Sequence, residues 1–373
     1  MAGTRGSGIS PVQQQYLDVL RSALWGGALN SLPEDIPGVL EIANQQKTRP
    51  LVLDALQKAG YEDPDCMILI YRTASSHVRI NRAITFLVSL LRQNGIEPVL
   101  LKGQGIAVNY PEPMLRECGD VDLYVGPENF CKACGLILGL ESAKVVEHAA
   151  ESELHLSVQY KKVLVEIHQT SALLKDKKQN EYYQSIAGKG LSENLSPVII
   201  DGAEVNTPAD NFNAFYLFLH FLHHAIEGGI GLRQICDWAL FLHSRAGRLD
   251  TSVIEQACGR LGISKCWQLY ASIAVDYLGL PAAEMPFYKQ GLAGQSAKVL
   301  ALIFKDGNFG HSFDLKEGRP GGLLSGKLFS MKKILSRFGT LYSLYPEMRP
   351  MIFRVCAKYL FGGVSRISKD SVK

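Results

Sequence analysis

The run Asp120-Val121-Asp122-Leu123-Tyr124-Val125 constrains this chain more than any other stretch. Its alternation reads as a short strand, and a period of two sends Asp120 and Asp122 to one face with Val121 and Leu123 on the other. Two carboxylates side by side repel one another, and a purely structural strand seldom presents them so. Such a pair asks for a cation.

A third acid stands in Val163-Leu164-Val165-Glu166-Ile167-His168, where the same alternation puts Glu166 and His168 on one face. Hard divalent cations such as Mg²⁺, or Mn²⁺ in its place, take oxygen ligands and keep sites open for water and substrate phosphates. Three carboxylates on neighbouring strands meet that need. The plainer alternative is that these acids face solvent from half-exposed strands. Upstream, the apolar run Pro98-Val99-Leu100-Leu101 delivers Lys102-Gly103 to a helix expected from Gln104 to Asn109. Free N–H groups at a helix start attract phosphate, Gly103 permits close approach, and Lys102 adds a positive charge. Lys102 reads equally well as an ordinary surface lysine. Arg116, four residues before Asp120, is placed to pair with the carboxylates or to grip a phosphate bidentately.

Taken together, Leu101-Lys102-Gly103, Tyr110-Pro111, Arg116, Gly119-Asp120-Val121-Asp122-Leu123, Glu166-Ile167-His168 and Gly231-Leu232-Arg233-Gln234-Ile235-Cys236-Asp237-Trp238 resemble the uncharacterised bacterial members of the nucleotidyltransferase superfamily. These motifs span roughly residues 96 to 243. The resemblance implies a fold like that of DNA polymerase beta and transfer of a nucleoside monophosphate from a nucleoside triphosphate, such as ATP, to an acceptor hydroxyl. It implies that Asp120 and Asp122 hold two Mg²⁺ ions and that Glu166 binds one of them and helps deprotonate the acceptor. Where well-known superfamily members carry Gly-Ser in the first turn, this chain carries Lys102-Gly103, with a longer spacing to the first Asp. The donor is therefore less fixed than the fold. A competing reading keeps the fold but not the chemistry: a binding protein that senses a nucleotide or docks a polysaccharide-assembly partner.

The rest of the chain frames this core. With 373 residues and 47% apolar composition, it is long enough for two or three domains and has no signature of disorder. The expected fold is α+β: a helical region over residues 1–95, a small mixed sheet over 96–205 carrying the site, and a second helical region over 206–373. An apolar stripe from Met67 through Ile70, Ala74, Val78, Ile84, Leu87 and Leu91 predicts a long helix ended by Gly95. Leu154–Tyr160 and Val163–His168 read as a hairpin across Lys161-Lys162, which gives His155 a structural role and leaves that of His168 open.

In the helix expected over Phe212–Ile226, His220 and His224 lie four apart and share a face. The Glu of a His-Glu-x-x-His zinc motif is missing, so hydrogen bonding is favoured over zinc. Arg233 and Asp237 are also four apart, and are read either as an intrahelical bridge or, with His168, His220 and His224, as a wall of the substrate site. Eight cysteines without a repeating frame fit reduced thiols in a cytoplasmic protein. Met1 to Gly8 lacks the apolar run of a secretory signal and reads as a flexible leader.

A net charge of +3 does not by itself suggest a nucleic-acid partner, and no specific nucleic acid is expected. Residues 315–373, however, hold twelve basic against three acidic side chains, interleaved with aromatics such as Phe329, Phe338, Tyr342 and Phe353. Such a tail suits an anionic membrane surface or another polyanion, giving a membrane-peripheral location, or else it is the solvated face of closing helices.

Overall fold

Chain order begins with four helices, α1 (Pro11–Trp25), α2 (Ile36–Gln45), α3 (Arg49–Lys58) and α4 (Pro64–Gln93). The computed structural model describes residues 8–146, 154–308 and 323–361. Local chemistry sets the starts: Ser10 and Gln13 form a capping box on α1, and Asp35 and Asp63 cap α2 and α4, each ahead of a Pro in the first turn. At the other end of α4, Gly95 takes φ 74°. That left-handed turn lets the amide of Ile96 return to the carbonyl of Leu91 at 2.9 Å and stops the helix where the sequence predicts.

The central sheet follows. It is built from β1 (Val99–Leu100), β2 (Asp120–Tyr124), β3 (Ala143–Val145), β4 (His155–Tyr160) and β5 (Val163–His168), with α5 (Gln104–Ala107) and α6 (Pro127–Leu138) in the connections. The spatial order is β1-β2-β5-β4-β3, with β2 and β5 parallel and the other pairs antiparallel. After α7 (Lys177–Gly190), β6 (Ser196–Ile200) and β7 (Ala203–Thr207) form a separate hairpin. Helices complete the chain: α8 (Asp210–Glu227), α9 (Leu232–Ser244), α10 (Thr251–Arg260), α11 (Ser264–Ser272), α12 (Ala293–Asp306), α13 (Leu323–Leu344) and α14 (Arg349–Phe361). The architecture is the α+β arrangement expected, a mixed sheet flanked by helices.

The two faces of the sheet meet different cores, as strand alternation dictates. On the back, Val121 and Leu123 of β2 and Val165 and Ile167 of β5 pack against Ile80, Ile84, Leu87 and Leu91 of α4 and against α6. The front face carries the acids. Its neighbours belong to a larger core in which α1–α3 join α8, α9, α11 and α12 around Trp238, Trp267, Phe218 and Phe221. Polar contacts fasten these helices together: Tyr16 of α1 shares a buried hydrogen bond with Thr48 at the start of α3, and the Gln46 side chain accepts from the Leu232 amide of α9 at 3.0 Å.

The apolar stripe of α4 is shorter than its sequence suggests. Met67 and Tyr71 are exposed, and continuous burial begins only near Ile80, because the first half of the helix runs beyond the sheet. In the basic segment, Arg337 is not solvated. It is buried against Asp306 at 2.8 Å and donates to the carbonyls of Ala225 and Ile226. The leader through Ser7 and the tail from residue 362 lie outside the described residues, as do residues 309–322. Among the described residues, no helix is long and apolar enough to cross a membrane.

Candidate active site

Register assembles the acids. Because β2 and β5 run parallel with Asp122 opposite Glu166, the carboxylates of Asp120, Asp122 and Glu166 project from the same face of adjacent strands. Each offers an oxygen within 4.8 Å of the others. A carboxylate set without thiolates fits a hard divalent cation of the Mg²⁺ or Mn²⁺ type.

The pairing of β4 with β5 adds a second ring of groups. His155 lies opposite His168, and Nε2 of His168 stands 3.0 Å from Oδ1 of Asp122 and 3.4 Å from Oε2 of Glu166. His155 Nε2 is 3.6 Å from the other oxygen of Glu166, so His155, Glu166 and His168 form a second cluster able to ligate a metal. Single-strand alternation cannot reveal this role for His155; the hairpin register can.

Lys102 enters from the turn after β1. Its Nζ is 3.2 Å from Oδ1 of Asp122 and 3.3 Å from Nε2 of His220 on α8. The helix behind that turn spans only Gln104–Ala107, shorter than expected, so it is a single turn and not an extended anion-binding terminus. Gly103 matters for another reason. It adopts φ 57° and ψ −118°, and a Cβ there would lie 3.3 Å from Sγ of Cys118 and 3.4 Å from the carbonyl of Asp120. A side chain at this position would be strained and would press on the acid-bearing strand.

Charge and burial then divide the acids. For Asp122, burial favours the neutral form, but Lys102 and the His168 hydrogen bond overcome it and hold the carboxyl well below the ordinary range. Asp120 moves the other way: burial and repulsion from Asp122 raise it, against the pull of Lys102 and, more weakly, Arg233. Burial would lower Lys102, yet Asp122, Tyr216, Asp120 and Glu166 keep its ammonium above the usual lysine value. His168 is raised because its bonds to Asp122 and Glu166 outweigh its burial. His220 is driven well down, by burial first and then by Lys102. His224, whose ring is 4.6 Å from that of His220, is lowered to about 4 for the same reasons.

The arginines exchange the partners that helical spacing suggests. Asp237 pairs with Arg116 and not with Arg233: Arg116 Nε and Nη2 grip its two carboxylate oxygens at 2.6 and 2.7 Å, and the Tyr110 hydroxyl adds a third bond at 2.7 Å. The guanidinium of Arg116 is thereby committed to Asp237 instead of the acids on β2. Arg233 donates through Nη1 to the carbonyl of Glu117, and its buried Nε has no hydrogen-bond partner among the described residues. Four residues apart on a helix permits a pair but does not demand one, and a fork facing both oxygens of a carboxylate is the stronger geometry.

A family described as uncharacterised nucleotidyltransferase matches residues 33–279 of this chain. The chain belongs to that family. No curated protein and no solved structure matches it. The nucleotidyltransferase match contains Asp120, Asp122, Glu166 and the whole central sheet, together with Lys102, Arg233 and the histidines of α8. It supports a general role in nucleotidyl transfer, and the acidic group is a place where this chain could hold a metal ion.

Proposed function

We propose that the protein transfers a nucleoside monophosphate from a nucleoside triphosphate to an acceptor hydroxyl. The observation that carries this reading is the convergence of Asp120, Asp122 and Glu166 within 4.8 Å, inside the region matched to a nucleotidyltransferase family. In the reaction the acceptor oxygen bonds to the α-phosphorus, the bond to the bridging α–β oxygen breaks, and pyrophosphate leaves with that electron pair. Asp120, Asp122 and Glu166 would hold the divalent cation, Mg²⁺ or Mn²⁺, which when bound supplies Lewis-acid charge neutralisation for the phosphate oxygens.

The chain's own groups divide the remaining work. Glu166, with 20% of its side chain exposed against 1% for Asp122, is the acid that an acceptor can reach, and it takes the acceptor proton. His168 bridges Asp122 and Glu166 and holds both carboxylates in place. Lys102 supplies positive charge beside Asp122, where many nucleotidyltransferases have a hydroxyl in the turn. Arg233, with its unpartnered buried Nε, is the guanidinium available to the triphosphate. Positioning and charge neutralisation are the main demands of phosphoryl chemistry, and these residues meet both.

Pyrophosphate release should be measured with Mg²⁺ and each nucleoside triphosphate across a panel of hydroxyl acceptors. Release by the parent protein, lost in Asp122→Asn and Glu166→Gln variants that keep their thermal unfolding, is the expected result. Calorimetric binding of a triphosphate without turnover by the parent would instead identify a nucleotide sensor.

A further inference from the structure

The back of the molecule carries a second feature that owes nothing to the acids. Along α4 the exposed positions Ile68, Arg72, Arg79, Arg82 and Phe86 follow spacings of three, four and seven residues and so share one helix face. From Arg72 to Phe86 this face is about 21 Å long at 1.5 Å per residue. At its end it meets the turn between β4 and β5, where Lys161 and Lys162 both take positive φ, at 44° and 65°. Between helix and turn lies a cavity of about 390 Å³, lined by Ser75, Arg79, Arg82, Phe86, Tyr160 and Lys161 among others, with no carboxylate among the described residues of its wall.

Its cations are unspent. Among the described residues, Arg72, Arg79, Arg82, Lys161 and Lys162 make no ion pair with a carboxylate, and Arg79 donates to the Ser76 hydroxyl at 3.1 Å. Phe86 is 44% exposed, yet it is fixed in orientation: it stacks on the buried Tyr160 ring at 5.8 Å and 12°, and Lys161 Nζ lies 5.6 Å from its centroid. A ring held in orientation yet partly exposed, set among cations without carboxylate partners in a concave wall, offers a base-stacking surface and phosphate contacts together.

We propose that this groove binds single-stranded nucleic acid, with a base stacked on Phe86 and successive phosphates along Arg82, Arg79 and Lys161. The concavity favours a strand over a flat lipid surface, and a basic face longer than one nucleotide favours a strand over a free mononucleotide. A duplex would bring phosphates but keep its bases from Phe86. Since Arg79, Arg82 and Phe86 lie on the far side of the sheet from Asp122, the site stands or falls independently of the transferase reading.

The test is fluorescence anisotropy of the full chain with labelled single-stranded RNA and DNA twelve-mers at several salt concentrations. Competitors are duplex DNA, ATP and phosphatidylserine vesicles. The parent should prefer single strands. Arg79→Gln with Arg82→Gln should weaken binding at least tenfold and reduce the slope of log K against log salt by about 1.4, two phosphates at about 0.7 each. Phe86→Leu should weaken binding several-fold without changing that slope. These side chains are exposed, so unaltered thermal unfolding of the variants is expected. Absence of single-strand binding by the parent, binding indifferent to the arginine pair, equal displacement by ATP, or vesicle binding that depends on Arg79 and Arg82 would each overturn the proposal.

Discussion

The ammonium of Lys102 and the carboxylate of Asp122 stand 3.2 Å apart on the same face as Asp120 and Glu166. A cation therefore already lies against the carboxylate that a metal would share. At an effective dielectric of about 20, unit charges at this distance attract by roughly 5 kcal/mol before desolvation, enough to influence what else binds.

Lys102→Met should accordingly let Mn²⁺ bind more tightly in the absence of nucleotide, by about tenfold or more, because the three acids lose their internal counterion. Pyrophosphate release should fall at least as steeply, since in the proposed reaction the same ammonium would face the phosphates. Calorimetry with Mn²⁺ and the release assay, run on the same variant, separate the two effects. Unchanged metal affinity would show that Lys102 does not compete with the ion.

The histidines of α8 make stability depend on acid. Burial holds His223 to about 4, and burial together with Lys102 holds His224 to about 4, both below the ordinary 6.5. A base with a depressed folded value binds protons more readily when unfolded. Its contribution is therefore complete above pH 6.5 and is lost as pH falls towards 4. For one such side chain the loss is on the order of 3 kcal/mol. Chemical denaturation should show the protein losing stability through that window, and His223→Gln should lose distinctly less of it than the parent. Parallel curves for the two proteins would contradict the assignment.

Buried charge gives a sharper contrast between two arginines. Asp237 is held by Arg116 in a bidentate pair reinforced by Tyr110, whereas Arg233 bonds a main-chain carbonyl. Removing one partner of a buried pair strands the other and typically costs about 3–5 kcal/mol. Asp237→Leu should destabilise by that order in urea titrations. Arg233→Gln should cost far less stability while weakening triphosphate binding.

What the chain revealed before folding follows from the range of each interaction. Alternation is local, so the shared face of Asp120 and Asp122 and the strand bearing Glu166 were legible from side-chain order alone. Strand pairing is not local. Although the tight turn at Lys161-Lys162 already sets His155 opposite His168, that Glu166 falls opposite Asp122 depends on a register between distant segments. The exchange of Arg233 for Arg116 as the partner of Asp237 has the same origin: a separation of 121 residues competed with one of four, and only the packed helices decide between them. The exposed start of α4 was misread because periodicity reports an apolar face without saying where its partner ends.

The C-terminal helices offer the remaining test. On α13, Leu328, Met331, Leu335 and Tyr342 are exposed at spacings of three, four and seven residues, and Phe353 of α14 is 70% exposed. Exposed Lys332, Arg349 and Arg354 accompany them. An apolar stripe flanked by basic residues suits the interface of an anionic membrane, where apolar burial and attraction to acidic headgroups add together. Attachment of this kind should appear as flotation with phosphatidylserine vesicles and not with neutral ones. It should weaken in high salt and fall several-fold in Leu328→Ser with Leu335→Ser, because each substitution removes apolar area without touching a charge. Flotation that is equal on neutral vesicles, or unaffected by those substitutions, would leave the basic residues as a solvated helix face.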